Sequence, residues 1–157
     1  MNKKFNNNIE VTKAKILESS QSSKIYFGAD SERVNVGGIW YVDYLICVIL
    51  HIDGKHGATV IYGNVERERD YDKNLSKPRN RLFTEVIKLG EIYTLLADVL
   101  EDRDVDIHLD LNPNEMFGSS CVISEAIGYI KGVCQRDPVV KPNSWAASIA
   151  ADRLKSI

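Results

Sequence analysis

Several absences narrow the class of this chain before any motif is considered. It has only three cysteines, Cys47, Cys121 and Cys134, each within an apolar run and none in a CxxC pair, so neither a disulfide framework nor a thiolate zinc site is expected. No apolar run approaches the roughly 20 residues needed to cross a bilayer; the longest runs from Tyr44 to Ile52. The opening MNKKFNNN leads into no apolar signal region, and a soluble cytoplasmic protein with no membrane partner is expected. Positive charge is also lacking. A formal net charge of −2 and a pI near 5.9 argue against a large basic surface that wraps duplex DNA. An acidic metal site beside a local basic strip remains compatible with that balance. There is no GxxxxGK[ST] loop, no strand-linked GxGxxG, and no supported Ser-His-Asp or Cys-His arrangement, which sets aside phosphate-loop and covalent chemistry.

What is present is an average globular mix, 44% hydrophobic and 27% charged over 157 residues, enough for one well-packed domain. Residues 1–23 read as a polar segment, partly disordered or carrying one short helix, and residues 24–157 as the domain. Strand patterns follow in KIYFGAD, IWYVDYLICVILHID and GATVIYGNV, the last two joined at Asp53-Gly54. The mixed-sign run Glu66 to Lys73 reads as a solvated connection. Ser76 then offers a helix cap with Pro78 in the first turn, and Leu82, Val86, Leu89, Tyr93, Leu96 and Leu100 recur at steps of four and three. Val105 to Leu111 alternates as a strand, a helix runs from about Ser119 to Cys134, Pro138 to Lys141 is a short strand, and Asn143 caps a last helix. The order β-β-β-α-β-α-β-α predicts an α/β fold with a mixed sheet covered on both faces.

Four acids stand out because each interrupts an apolar pattern, where an unpaired carboxylate is costly. Asp30 closes the run from Ile25 to Ala29, either as a ligand or as the start of a turn with Ser31. Asp110 shares one strand face with Asp106 and His108, while Val105, Ile107, Leu109 and Leu111 share the other. Glu85 falls three residues after Leu82 and four before Leu89, at the edge of the buried stripe of the long helix, with Arg81 as an alternative ion-pair partner. Asp152 follows Trp145 and Ile149 at i, i+4, i+7 spacing. Acids on the first strand, the long helix, the fourth strand and the final helix are the donors that two hard cations would need to align a water for in-line attack on a phosphodiester.

The segments IYFGADSE (25–32), HLDLNPN (108–114), EAIGYIKG (125–132) and KPNSWAASIAADRL (141–154) together resemble the YkuK-like family of ribonuclease H-like proteins, over roughly Lys24 to the end. The resemblance implies a ribonuclease H-like fold with a five-stranded mixed sheet in the order 3-2-1-4-5. It also implies that Asp30, Glu85, Asp110 and Asp152 bind two Mg²⁺ or Mn²⁺ ions and are catalytic. Asn114 stands where the family is expected to carry an acid and is left out of the set. The expected function is a metal-dependent nuclease acting on RNA, RNA–DNA hybrid or DNA. The alternatives are a non-catalytic nucleic-acid- or protein-binding module and a structure-selective junction endonuclease.

Glu32 and His108 are accessory candidates, with a turn-exposed acid and a hydrogen-bonded interior histidine as their plainer readings. Lys73, Lys77, Arg79 and Arg81 form a basic strip entering the Glu85 helix, of which Lys77, Arg79 and Arg81 are candidate nucleic-acid contacts. Lys131, Arg136 and Lys141 form a sparser second group. Tyr71 and Trp40 could stack on bases, or Trp40 could sit in the core or at a strand edge.

Overall fold

A computed structural model describes residues 5–54, 57–72, 78–114 and 118–155. In chain order these form α1 (Ile9–Glu18), β1 (Lys24–Val36), β2 (Ile39–His51), β3 (Ala58–Arg69), α2 (Arg79–Leu100), β4 (Asp104–His108), α3 (Ile123–Cys134) and α4 (Trp145–Lys155). The strands make a mixed sheet in the order β3-β2-β1-β4, with β1 antiparallel to β2 and parallel to β4.

Helices cover both faces, as the element order predicts. Ile25, Phe27 and Ala29 of β1 and Ile46, Val48 and Leu50 of β2 pack with α1, α2 and α3, whose inward residues include Ile16, Val86, Leu89, Leu96, Ala126 and Ile130. The alternate residues Tyr26, Leu45, Cys47 and Ile49 pack against Ala146 and Ala150 of α4. The period of two in the strands and the 3.6-residue period in α2 thus separate two cores, one on each side of the sheet.

Three expectations need correction. The sheet has four strands among the described residues, where five were expected. Residues 138–141 run parallel beside β4 but make only an isolated bridge, His108 to Val139. Leu109 N–H donates to Val139 O at 2.8 Å, Val139 N–H to Ile107 O at 2.7 Å and Lys141 N–H to Leu111 O at 3.1 Å. Pro138 and Pro142 bracket this stretch, and lacking N–H groups they stop the ladder from lengthening. Second, β1 does not end at Asp30; its ladder with β2 continues to Val36↔Ile39. Gly37 and Gly38, both left-handed at φ 59° and 85°, supply the tight two-residue turn that closes this hairpin. Third, Glu66 to Arg69 belongs to β3, in register with Tyr44 to Tyr41. Both faces of that stretch are polar, which hides the strand period: Arg67 pairs with Asp43 on one face, and Lys88 meets Glu66 and Glu68 on the other.

Two further devices hold the frame. Arg103 is buried and donates to Ile16 O and Ser20 O, each at 2.7 Å, and to Ser19 O at 3.2 Å. Its guanidinium thereby satisfies the last carbonyls of α1. The free edge of β3 is blunted by Asn6, whose carbonyl accepts from Gly63 N–H at 2.9 Å and whose amide donates to Ile61 O at 2.8 Å.

Candidate acidic site

The register of β1 with β4 runs from Lys24↔Asp104 to Gly28↔His108, so Asp30 and Asp110 each lie two residues past the last pair. Both are half-buried. By alternation Asp30 shares the α4 side of the sheet with Tyr26 and Gly28. Its neighbour Ser31 faces the other way, and its hydroxyl donates to Glu85 Oε2 at 2.6 Å. Glu85 reaches that point from α2 and is only 6% exposed. A cavity of about 10 Å³ lies between Ala29, Leu82, Glu85, Val86, Leu109, Asp110 and Leu111.

The electrostatics of Glu85 follow from this placement. Burial, which disfavours the charged form, pushes its carboxyl up to about 8, with the Ser31 hydrogen bond and the Arg81 charge opposing and the charges of Asp30 and Asp110 adding to the rise. The charges of Asp30 and Asp110 thus both act on the buried Glu85 carboxyl. In kind the donors fit a hard divalent cation, because all are carboxylate oxygens whose mutual repulsion such an ion would relieve. As placed, however, no group of three or more His, Cys, Asp or Glu side chains among the described residues could hold a metal ion. One cation already touches the set: Lys141 Nζ lies 2.7 Å from Asp110 Oδ1.

Asp152 does not share the placement of the other three. The stripe of α4 that packs on the sheet is Ala146, Ala147 and Ala150, and Asp152 lies on the exposed side. The Trp145-Ile149-Asp152 spacing is misleading because small residues, not large ones, mark the buried face where a helix backbone comes close to a strand. Glu32 is exposed within β1, opposite Asp43 and on the same strand face as Asp30, and is not in a turn.

His108 has a definite structural task. It is buried, its Nδ1 accepts the Ala146 N–H at 2.9 Å, and its ring stands edge-on to Tyr26 and Trp145. It thus satisfies a free amide in the first turn of α4, the role expected of Asn143. Burial lowers its pKa below the ordinary 6.5, with Asp106 opposing. The neutral form is the one that folds, so this contribution is complete above pH 6.5 and lost as the pH falls below it. The stability gap between the wild type and the non-titrating His108→Gln variant is therefore expected to narrow in urea melts on acidification below that point. A gap that stays constant would remove the cap from the pH response.

The basic strip is less available than its sequence suggests. Arg79 is ion-paired to Glu125 and donates to Cys121 O at 3.0 Å. Arg81 is half-buried, its charge acts on both Glu85 and Asp70, and its Nε is buried without a hydrogen-bond partner among the described residues. Lys73, Lys77 and the cap residue Ser76 lie outside the described residues. Asp72 instead accepts from Asn80 N–H at 2.8 Å and Arg81 N–H at 2.9 Å, capping α2 from well upstream. Trp40 lies at the hairpin end of β2, half-exposed, with the Arg33 guanidinium 4.3 Å from its ring centroid, and Arg33 in turn pairs with Asp70. Sequence reasoning gave Ser31, Lys141 and Asp72 other roles and missed their contacts with Glu85, Asp110 and the start of α2. Ser31 was legible as the residue beside Asp30 that must face the opposite helix layer; Lys141 and Asp72 act across the fold and carry no local spacing signal.

No helix among the described residues is long and apolar enough to cross a membrane. No curated protein and no solved structure matches the chain. A family model described as ribonuclease H-like matches residues 8–156. That span takes in α1, all four strands and the acids on β1, on α2 and after β4, and the chain accordingly belongs to the ribonuclease H-like family, a nuclease-like or nucleic-acid-binding module.

Proposed function

We propose that this chain is a divalent-metal-dependent nuclease, which hydrolyses phosphodiester bonds of RNA, RNA–DNA hybrid or DNA with water as the nucleophile. The observation that carries this reading is Glu85, a carboxyl buried to 6% exposure with Asp30 and Asp110 both acting on it. Perturbed acids of this kind cluster where charge is managed for chemistry. Asp30, Glu85 and Asp110 would hold Mg²⁺ or Mn²⁺. Bound there, a pair of such ions supplies an activated water and neutralises charge at the phosphate.

The chain's own groups have separate tasks. Ser31 fixes one oxygen of Glu85, and Arg81 lends positive charge beside it. Asp152 joins the set on the family resemblance alone. Arg79, on the outer side of α2, is a phosphate contact together with Lys77. The motifs around Asp30, Asp110 and Asp152 favour the YkuK-like group within the family, and three free cysteines suit a reducing cytoplasm.

A second reading, a non-catalytic nucleic-acid-binding module, is favoured by the ion pair of Lys141 with Asp110. One experiment separates the two. Purified protein is incubated with Mg²⁺ or Mn²⁺ and labelled RNA, RNA–DNA hybrid, single-stranded DNA or branched DNA. Metal-dependent cleavage of at least one substrate, lost in Asp30→Asn, is the expected result, and cleavage confined to branched DNA would identify a structure-selective endonuclease. Metal-independent binding with no cleavage of any substrate would overturn the nuclease reading.

A further inference from the structure

We infer that Lys141 is a built-in counter-cation of the acidic site, which neutralises Asp110 at rest and competes with the divalent ion for it. This inference rests on the metal-dependent reading proposed above.

The backbone argument comes first. Residues 139–141 are tied to the end of β4 and the residues that follow it by three hydrogen bonds, ending with Lys141 N–H to Leu111 O at 3.1 Å. The origin of the Lys141 side chain is therefore fixed one residue from Asp110, and its reach to Asp110 Oδ1, at 2.7 Å, does not depend on a mobile tether. Charge comes second. The charges of Asp30 and Asp110 both act on the buried Glu85, with the half-buried Arg81 opposing. Without a further cation at Asp110, the folded protein would hold that repulsion in a poorly solvated crevice. An ammonium on Asp110 relieves part of it in a metal-free chain.

The same contact opposes metal loading. The ammonium uses a carboxylate oxygen that the ion needs, and its charge repels a divalent cation on its way in. Lys141 is 47% exposed, with solvent available to receive its head group when it is displaced. The geometry thus describes an exchange of one cation for another on Asp110, with Lys141 setting the metal concentration at which the site fills. Just beyond it, Asn143 and Ser144 lead into α4, so the freed side chain stays tethered beside the site.

The test measures metal affinity directly, independent of cleavage. Isothermal titration with Mn²⁺ is carried out on the wild type and on Lys141→Met, which keeps the stem and removes the charge. Lys141→Arg and Asp30→Asn serve as companions, and metal-free urea melts confirm folding. Lys141→Met is expected to bind Mn²⁺ about tenfold more tightly, a change of roughly 1.4 kcal/mol. Lys141→Arg, which retains a cation, is expected to stay near the wild-type affinity, and Asp30→Asn to lose binding. If Asp30→Asn loses binding while Lys141→Met matches the wild type or binds more weakly, the competition is refuted and the metal reading stands. If neither the wild type nor Lys141→Met binds Mn²⁺, the metal reading fails and the inference with it.

Discussion

Glu85→Gln is expected to make the metal-free protein more stable in alkaline solution while removing the metal-dependent cleavage proposed above. The buried carboxyl of Glu85 is raised from its ordinary 4.5 to about 8. A raised acid is held protonated by the fold, so its contribution is complete below pH 4.5 and is lost as the pH climbs through 8. Fully ionised, the group opposes folding by on the order of 5 kcal/mol, taking about 1.4 kcal/mol per pKa unit. Glutamine carries no charge to bury, and its carbonyl can still accept the Ser31 hydroxyl that now donates to Glu85. Urea melts of wild type and variant should therefore coincide near pH 4.5, separate progressively as the pH rises towards 8 and keep the full gap above it, with the variant ahead. Cleavage should fall by more than about 100-fold, because even the outer partners of metal ligands cost 10–100-fold when removed. A variant that is less stable than the wild type in alkali would show that Glu85 is ionised and satisfied in the fold. Stability given up at a site in this way is the ordinary mark of a residue kept for function.

How much of this could be read in the chain depended on the range over which each signal acts. The stripe from Leu82 to Leu100 and the alternation through Ile25, Phe27 and Ala29 are local periodicities, and both reappear as the faces that meet in the larger core. Glu85 was legible for the same reason, as an acid at the edge of a stripe. Asp152 was placed by the same wheel argument, but in α4 the contact with the sheet is made by Ala146, Ala147 and Ala150. There, close approach of backbones decides the buried face, and hydrophobic periodicity carries little information about it. The fifth strand was expected from the order of the elements and from the family resemblance, and the flanking prolines reduce it to one bridge. The β3 extension was hidden because its charges find partners on both faces. Lys141 on Asp110 and His108 on the α4 amide are long-range pairings that no window of sequence displays.

Gly28→Ala should expose how closely α4 is seated on the strand that carries Asp30. A methyl group at position 28 would lie 2.5 Å from the Ala146 carbonyl oxygen, 2.7 Å from its carbon and 3.1 Å from Ala147 N. All three are backbone atoms of the first turn of α4, so no side-chain rotation can make room. The helix must retreat from the sheet, which loosens the Ala146 N–H bond to His108 and the contact of Tyr26 with Trp145, whose rings now stand 4.2 Å apart. Alanine would otherwise be favoured over glycine in a strand by roughly 0.5–1 kcal/mol, since it loses less freedom on folding. Overpacking against backbone outweighs that gain, and a net loss of about 2–3 kcal/mol is expected. The change is read as a lower urea midpoint together with an altered near-ultraviolet signal from Trp145. Gly128→Ala is the matched control: its added methyl meets nothing within 4 Å on the exposed side of α3, and it should raise stability by up to about 1 kcal/mol. If Gly28→Ala were as stable as the control, α4 would not be held at the distance seen here, and the placement of its acid relative to Asp30 would have to be drawn afresh.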